Sequence, residues 1–155
     1  MPHAATLPAS GTVQLPDGRV YTVAAKGTPL VLDDIQVRLG SIKWVSSAGV
    51  SNPAPGTHAY AVVSLSVQNL SGAAHTIPIT QFWLLDAALH EYLPQAHTNV
   101  PRPLVGMKVA PGVTVHGTLV FATPRRFAVG TLLVYRFADA ANVAHAKHVG
   151  IVRLG

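Results

Sequence analysis

Alternation of apolar and polar side chains is the clearest pattern along this chain. In the stretch HAYAVVSLSVQNL, residues 58–70, every second residue from Ala61 to Val67 is apolar. A period of two places these side chains on one face of a half-buried β-strand. The stretch VTVHGTLVF, residues 113–121, alternates in the same way and predicts an outward-facing His116. Residues 35–39 alternate too, up to a Gly40-Ser41 break that predicts a β-bulge.

Glycine and proline separate these apolar stretches and predict the turns between strands. Pro16-Asp17-Gly18 lies between two short β-prone stretches and predicts a hairpin. Pro111-Gly112 fits a type II turn that enters the next strand. Asn69 and Gly72 are expected at hairpin positions of positive φ, and Gly117 is expected to let another backbone or ring approach its strand. No convincing amphipathic helix interrupts this series.

Strands with turn signals every eight to twelve residues are typical of an all-β sandwich. We predict an immunoglobulin-like antiparallel β-sandwich of about seven to nine strands. Residues 1–11 are expected to form an extended leader or linker, and residues 12–155 one sandwich domain. The predicted core contains Val63, Leu65, Val67, Phe82, Leu119, Phe121, Leu133 and Tyr135.

The composition agrees with a folded single domain and narrows the choice of function. Apolar residues make up 49% of the 155 residues, so there is enough apolar area to bury a core. Cysteine is absent, which excludes disulfides, thiolate metal sites and cysteine nucleophiles. No apolar stretch is long enough for a membrane span. The start, Met1-Pro2-His3, has no secretory signal after it, and we expect any signal or anchor to be absent from this sequence.

The formal charge of +5 leaves several classes of partner open. A basic balance suits nucleic acid, an anionic membrane or a wall polymer. The basic residues are scattered, however, and only Arg125-Arg126 are adjacent. We therefore expect no nucleic-acid partner, and we interpret the charge mainly as a source of solubility.

Eight histidines raise the alternative of a copper or zinc site, since imidazole binds both metals. The candidate ligands are His90 and His97, which flank a loop, and His145 and His148, which are three residues apart. No established metal-binding motif supports either pair. Surface histidines are the favoured interpretation, and no cofactor is expected.

The sequence offers no catalytic group that we would assign, so no enzyme activity is expected. There is no G-x-S-x-G sequence, and the adjacent carboxylates Asp33 and Asp34 would face opposite ways on a strand. Core packing is favoured over carbohydrate binding for most of the aromatic side chains.

The segment from Trp83 to Arg102 combines aromatic, basic and proline residues without a strand period over much of its length. Binding loops beside rigid sandwiches have this character. We predict that Tyr92, His97 and Arg102 form an exposed binding surface.

Two stretches resemble a known family. "HAYAVVSLSVQNLSGAAHTIPITQFWLLDAALHEYLP" and "VAPGVTVHGTLVFATP" followed by "LLVYRF" are similar in order and pattern to the telokin-like DUF4352 domains of bacteria. The resemblance covers roughly residues 31–137. It departs after Asp86, which is followed by Ala87, Ala88, Leu89 and His90, so the family's usual Asp-x-x-Gly turn differs here.

The resemblance implies an immunoglobulin-like fold and a secreted, periplasmic or surface-anchored location, with no catalytic residues to transfer. Together with the residues, it favours a non-enzymatic extracytoplasmic interaction domain whose partner is a protein or cell-envelope component. Self-association is expected to be weak at most. The histidine-based metal-binding protein remains the alternative.

Overall fold

The computed structural model describes residues 10–25, 27–46, 55–96, 98–127 and 130–154. Within these residues the chain forms twelve strands and two single 3₁₀ turns, at Ile79–Gln81 and Val143–His145. The strands are β1 (Gly11–Gln14), β2 (Val20–Ala24), β3 (Leu30–Leu32), β4 (Ile35–Val45), β5 (Ala59–Asn69), β6 (His75–Thr76), β7 (Phe82–Asp86), β8 (Glu91–Tyr92), β9 (Lys108–Val109), β10 (Thr114–Thr123), β11 (Gly130–Tyr135) and β12 (His148–Arg153).

The strands form two main sheets. One has six strands in the order β1-β2-β12-β11-β7-β8, and the other has four in the order β10-β5-β4-β3. Strands β6 and β9 pair as a short ribbon. Among the described strand pairs only β2 and β12 are parallel. The predicted antiparallel β-sandwich is confirmed, and the four strands of two or three residues are too short to leave a period in the sequence.

The predicted core is confirmed, but it divides into two layers. The eight predicted residues are all at most 5% exposed. Leu133 and Tyr135, however, lie in a second apolar cluster, whereas Leu132 and Val134 face the main core. Strand β11 is therefore buried on both faces, which explains the unbroken apolar stretch from Leu132 to Tyr135.

Most of the predicted turns and irregularities are confirmed. The hairpin between β1 and β2 is closed by a bond from Gly18 N to Leu15 O, and the β4 register shifts at Gly40. Gly112 has φ 74°, as its turn requires. The expectation of positive φ at Asn69 and Gly72 is wrong, because neither belongs to the described residues with positive φ. Asn69 is instead a fully buried end of β5.

The domain division stays a prediction. Residues 1–9 of the predicted leader lie outside the described residues, and β1 begins at Gly11.

Candidate functional site

A row of three side chains crosses the outer face of the four-stranded sheet. Ser66 on β5 pairs with Arg38 on β4 and with His116 on β10. Directly paired residues of an antiparallel sheet point to the same face, and neighbouring strands are about 4.8 Å apart. Arg38 and His116 therefore flank the small Ser66 at a separation of about 10 Å across the sheet. His116 is exposed, as the sequence predicts.

The next row of the same face is lined by hydroxyl groups. Ser64 on β5 pairs with Ser41 and with Thr118. The β-bulge at Gly40 separates the two rows on β4. A Cβ atom on Gly40 would lie 3.0 Å from Ser64 O, so only glycine lets the bulge sit this close to β5 without a shift. The result is a shallow floor of small polar side chains.

A wall is added to this floor by the crossing segment, residues 93–104, which passes from β8 to the edge of β10. Residue 97 of this segment lies outside the described residues. Thr118 N donates to Arg102 O at 2.9 Å, and Thr118 Oγ1 donates to Pro101 O at 2.8 Å. Leu104 N donates back to Thr118 O at 2.9 Å, and the side chain of Leu104 is itself fully buried. The segment is thus fixed on both sides of Arg102.

Arg102 adopts φ 51°, a left-handed conformation that costs a non-glycine residue about 1 kcal/mol or more. Such strain persists only where the surroundings hold the residue in place, as the bonds to Thr118 do here. The exposed side chain of Arg102 lines the same cavity as Arg38 and His116.

We call this cavity the cationic groove; it measures about 410 Å³. It is defined by Arg38, Ser64, Ser66, Arg102, His116 and Thr118. All six acidic residues of the sequence are described, and none lines the groove. Asp33 and Asp139 are paired with Arg136 instead. A groove with two guanidinium groups, an imidazole and several hydroxyls presents mainly hydrogen-bond donors and suits an anionic ligand.

The structure does not bring the predicted binding residues into one cavity. Arg102 lies at the cationic groove, whereas Tyr92 lines a separate cavity of about 490 Å³ with Asp86 and Arg125. Tyr92 is half-buried and packs beside Phe127, with ring centroids 6.3 Å apart. Burial and the nearby Asp86 carboxylate raise the pKa of Tyr92 above its ordinary value. Whether Tyr92 and Arg102 bind a partner stays a prediction, and His97 lies outside the described residues.

The three candidate metal ligands that the structure describes, His90, His145 and His148, are exposed. His145 ends a 3₁₀ turn and His148 begins β12. His90 Nδ1 contacts Asp86 Oδ2 at 2.9 Å. Within the part of the chain that the structure describes, no three potential ligands of the types His, Cys, Asp and Glu are grouped around a metal-sized site.

Asp86 organises the turn between β7 and β8. Its Oδ1 accepts hydrogen bonds from the backbone N–H groups of Ala88 and His90, both at 2.9 Å. Its Oδ2 accepts one from the Tyr92 hydroxyl at 3.3 Å. Burial alone would raise the pKa of Asp86, but the bonds from the His90 ring and backbone outweigh it, so the pKa falls below 3.8.

We expect Asp86→Ala to lower the free energy of unfolding by about 2 kcal/mol at neutral pH, because the turn loses charge-assisted hydrogen bonds. A depressed folded-state pKa stabilises the protein above the unfolded pKa, and this contribution fades as pH falls through the folded value. The difference between wild type and variant, measured by urea unfolding, should therefore shrink below pH 3.8. A difference of equal size at pH 7 and pH 3 would contradict this role.

The sequence did not predict that Arg38, Ser66 and His116 form one groove. Their alternation within each strand was visible and predicted an outward His116. Their alignment depends on the register between β4, β5 and β10, which joins residues far apart in the chain. A search for cationic outward positions on adjacent predicted strands could have suggested the pairing.

The fold and the groove together define a β-sandwich protein with one cationic outer face. Residues 24–140 match the family described as "Domain of unknown function (DUF4352)". This match spans well over half of the 155 residues, and the chain belongs to the DUF4352 family. A search of the curated proteins finds no match to the sequence.

Solved structures with the same fold come from several bacteria. The yjhA protein of Bacillus subtilis is 14% identical with a TM-score of 0.58, covering 83% of this chain and 97% of that one. The secreted protein MPT63 of Mycobacterium tuberculosis is 14% identical with a TM-score of 0.59, covering 84% and 95%. The ycdA protein of Bacillus subtilis, described as a lipoprotein, is 14% identical with a TM-score of 0.54, covering 70% of this chain but only 33% of its own. At these identities the likeness shows the fold alone.

Proposed function

We propose that this protein is a non-enzymatic, extracytoplasmic binding domain that recognises an anionic protein or cell-envelope component through the cationic groove. The observation that carries the proposal is the alignment of Arg38, Ser66 and His116 across three strands, with Arg102 held in a strained conformation beside them. Arginine recognises phosphate and carboxylate groups through its planar fork of N–H donors.

The distribution of charge supports an anionic partner more strongly than the net charge does. Lys43 on β4 pairs with Val62 on the outward-facing row of β5, so it adds a further cation to the face of the groove. On the other sheet, Asp86 and Glu91 lie on β7 and β8. The four strands of the groove sheet contain no acidic residue, so their outer face would attract polyanions over long range and orient them during encounter. The charge then has a recognition role beyond solubility.

An extracytoplasmic location is supported by the family resemblance and by the names of two structural neighbours. MPT63 is described as secreted, and the ycdA protein is described as a lipoprotein. No helix among the described residues is long and apolar enough to cross a membrane. Fractionation of cells that express the natural protein should find it outside the cytoplasm, and recovery in the cytosol alone would overturn this part of the proposal.

Binding can be tested by titration with two soluble polyanions, long-chain polyphosphate and poly-L-glutamate. We expect the double variant Arg38→Gln/Arg102→Gln to bind at least one of them about tenfold more weakly, since two charge-assisted contacts are lost. Isothermal titration at about 0.15 M salt, where surface charges are screened beyond about 8 Å, limits non-specific attraction.

A matched control separates the groove from the net charge. Lys108 and Arg126 are exposed and lie outside the groove. The double variant Lys108→Gln/Arg126→Gln changes the formal charge by the same amount and should bind nearly as wild type does. An equal loss of affinity in both double variants would mean that polyanions bind through the overall charge alone, and the proposal that the groove is the binding site would be wrong.

A further inference from the structure

A third cavity lies on the outer face of the six-stranded sheet, whereas the cationic groove lies on the four-stranded sheet. It measures about 550 Å³, which is within the usual range for small-molecule sites. Two aromatic side chains, Trp83 and Tyr135, share its lining with three charged ones, Asp17, Arg19 and Glu91. The cavity therefore combines apolar rings with both signs of charge.

The aromatic side chains of this cavity are held firmly by the sheet. Trp83 pairs with Leu133 in the β7–β11 ladder, and both belong to the second apolar cluster with Tyr135. The indole Nε1–H of Trp83 donates to Thr80 O at 2.7 Å, which fixes the orientation of the ring. Trp83 is only half-buried, whereas Tyr135 is 5% exposed. A fixed, partly exposed indole is a suitable surface for an apolar ligand face.

The charged side chains at the cavity are held as well, but they keep unused hydrogen-bonding capacity. Arg19 Nη2 donates to Val143 O at 3.4 Å and to Ala144 O at 3.1 Å, and the guanidinium also interacts with the hydroxyls of Tyr21 and Tyr135. These four contacts do not use all five of its N–H donors. Asp17 Oδ1 accepts a bond from the backbone N–H of Arg19 at 2.9 Å, and Asp17 Oδ2 accepts one from the Tyr21 hydroxyl at 3.4 Å. A carboxylate can accept about four bonds, so acceptor sites remain. Glu91 is exposed on β8 and pairs with Leu85, which places it on the same face as Trp83.

We infer that this cavity binds a neutral saccharide, with its apolar ring face on Trp83 and its hydroxyls on Asp17, Arg19 and Glu91. The two carboxylates disfavour an anion, and the guanidinium disfavours a cation. Hydroxyl groups both donate and accept, so they can use all three charged side chains. The ligand class differs from that of the proposed function, and the two sites lie on different sheets.

Chemical-shift mapping with N-acetylglucosamine trimer, cellotriose, maltotriose and mannotriose tests the inference. We expect at least one trisaccharide to shift the Trp83 indole N–H signal saturably at up to about 10 mM, the range of weak small-ligand binding. Trp44 packs against Phe127 with ring centroids 4.9 Å apart and lies outside this cavity, so its indole signal is an internal reference. No saturable shift with any of the four sugars, or shifts at Trp44 without Trp83, would overturn the inference.

Glu91→Gln tests the polar contacts without removing a core side chain. It should weaken binding of the responding sugar about tenfold, because a charged acceptor is lost. Asp33→Asn is the matched control, since Asp33 is an exposed acid that pairs with Arg136 outside the cavity. Unchanged affinity in both Glu91→Gln and Asp17→Asn would place the sugar elsewhere and overturn the inference. Polyphosphate binding should be unaffected by Glu91→Gln, so the two proposals can fail separately.

Discussion

Replacing Asn69 by leucine is expected to lower the free energy of unfolding by about 4 kcal/mol, the largest effect that we predict for a single side chain outside the apolar core. Asn69 is fully buried. Its Nδ2 group donates to Ala73 O at 2.7 Å and to Val109 O at 3.0 Å. Its Oδ1 atom accepts bonds from Ser71 N at 2.9 Å and from Ser71 Oγ at 2.7 Å. The side chain therefore ties the end of β5 to the following turn and to β9.

Leucine has a similar volume but can form none of these bonds. The substitution would leave Val109 O without its Asn69 donor in a buried environment, and a buried orphaned polar group costs about 1–3 kcal/mol by itself. Urea unfolding of wild type and variant measures the difference. Gln68→Leu is the control, because Gln68 is the preceding strand residue and its side chain makes a single bond, to Gly112 O at 3.3 Å. A similar loss in Gln68→Leu would contradict the special role of Asn69.

The role of Asn69 also shows where the sequence was misleading. The sequence Asn69-Leu70-Ser71-Gly72 favours a turn of positive φ by local rules, and we predicted one. The observed role depends on Val109, forty residues further along the chain. Only a buried partner of this kind distinguishes a structural asparagine from a turn asparagine, and no local pattern contains it.

The strands that could be predicted are those that bury one face. In β5, Val63 and Val67 are fully buried, while Ser64 and Ser66 between them are half-buried. The alternation in the sequence therefore predicted which side chains of β5 face the core. In β11 the same logic identified Leu133 as buried but could not reveal a second apolar layer, because both faces are apolar. When both faces of a strand are buried, the apolar period does not show which side chains face which apolar cluster.

The candidate site was predictable only in its local parts. Arg102 was expected to be an exposed cation in a proline-bearing segment, and it is exposed. Its neighbours in the groove come from β4 and β10, and pairing them requires the strand order and the register. The scattered basic residues likewise gave no reason to expect one groove lined by cations without carboxylates, since spacing along the chain does not show which strands become neighbours.

Gly117→Ala is expected to affect both the stability of the fold and the proposed binding site. We expect it to lower the free energy of unfolding by about 3 kcal/mol, at the upper end for overpacking of a dense interior. A Cβ atom at Gly117 would lie 2.5 Å from Arg102 O and 2.8 Å from Leu104 Cγ. Neither neighbour can yield easily. Arg102 O accepts the hydrogen bond from Thr118 N, and the Leu104 side chain is fully buried.

The crossing segment would have to move away from β10, and Arg102 would move with it. We therefore expect weaker polyphosphate binding by the Gly117→Ala variant under conditions in which it remains folded. Gly72→Ala is the matched control, because a Cβ atom there meets nothing within 4 Å and Gly72 has no positive φ. That control should stay within about 0.5 kcal/mol of wild type. If Gly117→Ala matched it in both urea unfolding and polyphosphate titration, the close contact would not be what positions Arg102 at the groove.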